Sequence, residues 1–219
     1  VLSCLPAIVV ELILSAIIER LNVRNVYLGY FLEAFVVAGL TEETCKFLFL
    51  RTTWRNPAFD YQFDAIVYAV MVALGFAAFE NVKYVYSYGF ATGIVRAVTA
   101  VPGHAIFGVF MGYFYGYAKL SDYWGRDDDR KAYLALSVVV PVLMHGCYDF
   151  LAFTQESDSR FTLLFYAYLV ALYVFGIRRV NRSSRDDRRV TRETVFDYFR
   201  RMQYPMPPQY RDRNDDFWR

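Results

Sequence analysis

The chain has 219 residues, 56% of them hydrophobic and 19% aromatic, and its 24 Lys and Arg against 22 Asp and Glu leave a formal charge of +2. That is far more apolar than ordinary globular usage. With stretches of helix-spanning length recurring along about four-fifths of the sequence, it excludes a soluble domain with a single anchor. It predicts instead an all-α, polytopic transmembrane helical bundle of about six spans in the cell membrane, with the lipid bilayer as partner and no nucleic acid.

The first span is expected at about 2–18, with Glu11 inside it as an interhelical or supporting carboxylate. The second, about 26–50, carries Glu33, Glu42, Glu43 and Lys46 and ends in Arg51, Trp54, Arg55 and Pro57, an interfacial cluster of the kind that anchors helix ends. The third, about 64–88, holds Gly75, Phe76, Glu80 and Asn81, and its Tyr84, Tyr86 and Tyr88 fit an aromatic belt. In the fourth, about 94–117, His104 is followed by Gly108, Gly112 and Gly116 at intervals of four. Such a stripe admits a neighbouring backbone, so His104 is expected to face a helix rather than lipid.

A loop at 119–131 with the run Asp127-Asp128-Asp129 reads as a solvated turn. The fifth span, about 132–153, contains Pro141, which should bend it and release a carbonyl four residues earlier, and then His145 and Asp149 on one face. The sixth, about 161–177, has no charges and is expected to serve packing. The domain division is therefore 1–178 as a transmembrane catalytic bundle and 179–219 as a polar, partly disordered cytoplasmic tail, with an amphipathic piece around Arg192 to Met202. Half of all basic residues lie from Arg178 onward. This bias places both ends in the cytoplasm and offers basic groups to anionic headgroups. Cys4, Cys45 and Cys147 fall in spans and are read as small apolar residues, with no disulfide framework. The opening at Val1 lacks a basic n-region, so a cleavable signal peptide is not expected, and a preceding segment is.

Charge inside a span costs on the order of 3 kcal/mol per group near the bilayer centre, which makes each such residue a functional candidate. Glu42 and Lys46, four apart, also have a purely structural explanation as a neutralising pair. The joint pattern argues for more. Glu42, Glu43 and Lys46, then Glu80, then His104, then His145 and Asp149 fall on four consecutive helices, and buried polar groups on four helices are best satisfied by converging on one site. Two imidazoles and a carboxylate suit catalytic zinc, with a further carboxylate to take a proton from water. Asp149 would orient a histidine or join the ligands. Without a metal, adjacent carboxylates sharing protons would act as a general base.

At these residues the sequence resembles the PrsW family of intramembrane proteases, related to the CAAX prenyl endopeptidase and bacteriocin-processing superfamily. The matching pieces are Glu42-Glu43-x-x-Lys46, Asp64 to Tyr68, Gly75-Phe76-Ala-x-x-Glu80-Asn81, His104 with its trailing glycines, and His145-x-x-x-Asp149. The resemblance implies a helical-bundle endopeptidase that cuts membrane-protein substrates, with anti-sigma factors as the substrates of PrsW-type members. In the CAAX branch a glutamate and a histidine hold the attacking water and a later His-x-x-x-Asn supports the oxyanion. By position these become Glu42, Glu80 and the pair of His145 with Asp149. Glu80 in place of histidine and Asp149 in place of asparagine follow the PrsW pattern and favour metal dependence. The expectation is zinc held by Glu80, His104 and His145, with Glu42 or Glu43 as base and Lys46 holding the carboxylates ionised. A proton-coupled transporter or channel is the alternative for a chain of buried Glu, His and Asp, but no repeat supports it.

Overall fold

The computed structural model describes residues 4–191, so the piece around 192–202 and the Pro-rich end of the tail lie outside the described residues. Among the described residues there is no strand. The helices are α1 (Cys4–Arg20), α2 (Val26–Phe31), α3 (Thr41–Arg51), α4 (Asp64–Tyr88), α5 (Phe90–Val98), α6 (Ala100–Tyr123), α7 (Asp127–Ser157) and α8 (Arg160–Arg185). Four segments are long and apolar enough to cross a membrane: α4, α5 running into α6, α7, and α8. With α1 and the rod from Val26 to Arg51 they account for about six membrane elements. Their outer faces remain apolar, as at Met71, Val139 and Leu163, which suits a lipid environment rather than water.

Between α2 and α3 the chain stays helical but widens into a π-helical stretch, Leu32–Leu40. Such widening is uncommon and tends to occur at functional sites. Here it rests against α7: a Cβ on Gly39 would lie 3.1 Å from the Val142 carbonyl, and one on Gly146 would collide with the Phe35 ring. The widened stretch is thus held against α7 by two glycines facing each other's helices, and it ends just before the Glu42-Glu43 pair.

The glycine stripe on α6 packs against α4. A Cβ on Gly108 would sit 3.0 Å from the Ala69 carbonyl, and one on Gly112 would sit 2.5 Å from both the Ala65 carbonyl and the Ile66 Cα. This close seam leaves His104 buried among helices, as the four-residue spacing predicts.

At the other end of the seam, Lys119 donates to the Trp54 carbonyl at 2.6 Å, and residues 60–62 pair with 188–190 through Gln62 N–H to the Arg188 carbonyl and Val190 N–H to the Asp60 carbonyl, each at 2.8 Å. The loops after α3 and α6 therefore meet the segment after α8 at one end of the bundle. Three local readings change. The acids Asp127, Asp128 and Asp129 form the first turn of α7, where the helix dipole favours them, rather than a free turn. α8 continues to Arg185, and Val190 beyond it is buried. Residues 90–98, read as loop and span start, form the separate α5 after Gly89, whose φ of +88° breaks the helix.

Candidate active site

All seven sequence-selected residues join one connected network. α3 projects Glu42, Glu43 and Lys46 inward, and all three are buried together with His104 of α6 and His145 of α7. The Lys46 ammonium donates to Glu43 Oε1 at 2.6 Å, to Glu42 Oε2 at 3.2 Å and to His104 Nδ1 at 2.9 Å. Glu43 Oε1 also meets His145 Nδ1 at 2.9 Å. The two imidazoles stand edge to face, 5.1 Å apart.

Behind each imidazole is a carboxylate. His104 Nε2 faces Glu80 Oε2 at 2.9 Å, and His145 Nε2 faces Asp149 Oδ2 at 3.1 Å. A carboxylate behind a ring fixes its orientation; at His145 the inner Nδ1 also faces a carboxylate, Glu43, so both of its nitrogens donate in this arrangement, whereas His104 donates from Nε2 alone. At His104 the acceptor is Nδ1, because its partner there is an ammonium that can only donate. Both rings therefore turn Nε2 outward, with Nδ1 of His145 on Glu43 and Nδ1 of His104 on Lys46, the ammonium that also holds Glu42 and Glu43.

Glu80 differs from its expected place. It does not join the inner group, because both its oxygens are taken: Oε2 by His104 and Oε1 by Arg96 Nη2 at 2.9 Å. Arg96, from α5, also lies over the Tyr84 ring at 3.6 Å, which draws Tyr84 inward and away from the exposed Tyr86 and Tyr88. Sequence reading missed Arg96; its one signal is a lone guanidinium in an otherwise apolar short helix.

The atoms that gather as a possible metal-holding set belong to Glu42, Glu43, His104 and His145, all within 4.8 Å of one another and all buried. Two features fit a metal there. Glu43 Oε2 is buried with no hydrogen-bond partner, although its sister oxygen has two. Four carboxylates, Glu42, Glu43, Glu80 and Asp149, also converge with only Lys46 and Arg96 as fixed cations. A divalent ion held by neutral imidazoles would balance that excess, as buried charge demands.

A cavity of about 500 Å³ reaches this network from the side of α1 and the π-helical stretch. Glu42, Glu80 and Asp149 line it together with the apolar Leu12, Val37 and Phe79. Glu11 and Glu33 line it too, Glu33 accepting from the Ser15 hydroxyl at 3.2 Å. Of the inner four, only Glu42 opens onto the cavity. Cys4, Cys45 and Cys147 form no disulfide with one another and take no part in this network.

The sequence profile described as PrsW family intramembrane metalloprotease matches residues 1–177. Among similar proteins, a Protease PrsW of Oceanobacillus iheyensis is 34% identical over 84% of this chain and 80% of its own. The Protease PrsW of Bacillus subtilis is 36% identical over 76% and 72%, and that of Clostridioides difficile is 30% identical over 83% and 76%. No solved structure matches.

Proposed function

The chain belongs to the PrsW family of intramembrane proteases, and from that premise we propose a zinc-dependent endopeptidase in which His104, His145 and Glu43 hold the metal and Glu42 is the general base. The observation that carries this reading is the pair of histidines, each held from outside by a carboxylate and both gathered with Glu42 and Glu43 so that one ligand atom of each lies within 4.8 Å of the others. When bound, zinc supplies a Lewis acid that acidifies water and polarises a carbonyl.

The remaining work falls to the chain itself. Glu42 is the inner carboxylate on the cavity side, so its Oε atoms are placed to take a proton from entering water and return it to the leaving amine. Lys46 touches both glutamates and holds them in place. Glu80 and Asp149 keep the two rings turned inward, and Arg96 keeps Glu80 there. The apolar wall of the cavity suits a substrate segment that enters from lipid and unwinds to expose a peptide bond. The substrate class is a membrane protein, of the anti-sigma-factor kind. We assign the arginine-rich end of the bundle, with the segment from 179 onward, to the cytoplasm, on the bias of Lys and Arg to that side.

The test is elemental analysis of the purified protein, paired with cleavage of a reconstituted single-span substrate. Near-stoichiometric zinc in the wild type, lost in His145→Ala, is expected. Glu42→Gln is expected to keep zinc while cleavage falls by a factor of at least about 100, as loss of a general base does. Zinc-free wild type that still cleaves would overturn the metal assignment, and an active Glu42→Gln would overturn the base.

A further inference from the structure

At the end of the bundle away from the catalytic network, a second cavity of about 270 Å³ lies between the start of α4, the C-terminal half of α6 and the last turns of α8. Its walls include Tyr113, Tyr117, Arg179, Arg182, Ser183 and Arg188, with Asp186 as the one carboxylate. Three guanidiniums therefore face a single acid, and that acid lies 3.5 Å from Arg182 alone. Arg179 stands over the Tyr113 ring at 4.1 Å, a contact that fixes its direction without neutralising it. Ser183 Oγ is buried here with no hydrogen-bond partner.

Depth adds to this chemistry. The apolar run of α8 ends at Ile177, and the arginines follow at once. They sit on the same end of the bundle as Trp54 and Lys119, which pair with one another. That is the level at which headgroups meet a membrane protein. Guanidinium forks and a hydroxyl converging on one cavity match the oxygens of a phosphate better than a single carboxylate. Basic pockets between helices at this depth are suited to lipid phosphates.

We propose that this cavity is a phosphate-binding site, and that it seats the headgroup phosphate of an anionic phospholipid against Arg179, Arg182, Arg188 and Ser183. The site is distinct from the catalytic network and does not depend on it. Held there, a lipid would tie the end of α8 to α4 and α6 at the point where residues 188–190 already pair with 60–62.

The test uses the full chain in a neutral detergent, measuring thermal unfolding with added phosphatidylglycerol, phosphatidylcholine or inorganic phosphate at equal concentration. Phosphatidylglycerol is expected to raise the Tm of the wild type by about 3–6 °C beyond phosphatidylcholine, the shift of a ligand bound only by the folded state. Arg179→Gln with Arg182→Gln should lose at least half of that increment. Ser183→Leu, which fills the cavity and leaves its charge unchanged, should do the same, and it decides the matter if the double variant does not fold. The same increment from inorganic phosphate, lost in the variants, supports the phosphate site and overturns the lipid as its occupant. Equal Tm with both lipids and no effect of phosphate, or an increment kept in Ser183→Leu, overturns the proposal.

Discussion

The two walls of the buried Glu-His-Lys network are built on opposite plans. On one side, α6 is pressed into α4 through glycines whose missing Cβ atoms leave room for backbone, and this wall carries Glu80 and His104. On the other, α1 and the π-helical stretch line a cavity, and farther along the same rod Gly29 of α2 has nothing within 4 Å of the place a Cβ would take. The close wall holds side chains that must not move. The open wall leaves room for something to enter. Glu42-Glu43 sits at the junction, where the π-helical stretch ends and the rod tightens again.

The hardest way to break this contrast is to remove the cation at the junction. Lys46→Met leaves Glu42 and Glu43 buried without their shared partner, and breaking a buried pair on one side costs about 3–5 kcal/mol. We expect a large fall in thermal stability in detergent and no detectable cleavage. Near-wild-type stability would mean that the junction is wet rather than closed.

Next in size is the seam. In Gly112→Val the new atoms would meet the Ala65 carbonyl and the Ile66 Cα, both backbone, so the helices must part. Overpacking of this kind costs about 1–3 kcal/mol. Because His104 lies two turns up the same helix, a displacement there should also lower kcat/KM by about a hundredfold. Full activity would show that the site does not depend on the seam.

Much of this was legible in the sequence. Charges buried on four helices predicted convergence, and the four-residue glycine spacing predicted which face of α6 meets another helix. That Glu80 lies outside the inner group of Glu42, Glu43, His104 and His145 was not. Periodicity gives the face on which a side chain lies, but which oxygens remain free depends on partners from other elements, and Arg96 comes from a short helix that only the break at Gly89 creates. The π-helical stretch escaped for a related reason. Its residues, Leu32–Leu40, are as apolar as any ordinary span, and the widening reflects packing of Gly39 and Phe35 against α7 rather than a local propensity. The pairing of 60–62 with 188–190 joins positions over a hundred residues apart and leaves no periodic trace.

Arg96 supplies a milder test of the close wall. Arg96→Gln removes the charge that holds Glu80 Oε1 while leaving the His104 contact at Oε2. Supporting groups of this kind typically contribute about 10–100-fold to metal affinity or activity. On the proposed zinc site, zinc is expected to dissociate more readily and cleavage to fall within that range, with Arg96→Lys recovering part of both. A loss as complete as that of Glu42→Gln would place Arg96 among the groups that touch substrate.

The smallest effect separates the walls most sharply, because it should have the opposite sign. Gly29→Ala puts a methyl into open space in a helix, where it meets no atom and reduces the freedom of the unfolded chain. Such changes stabilise by about 0.4–1 kcal/mol. The Tm should therefore rise by a few degrees while kcat/KM stays within about twofold, whereas any side chain at Gly112 lowers both. If Gly29→Ala were instead destabilising, a further segment would have to pack against α2, and the open wall would be a binding face for that segment rather than the route to Glu42.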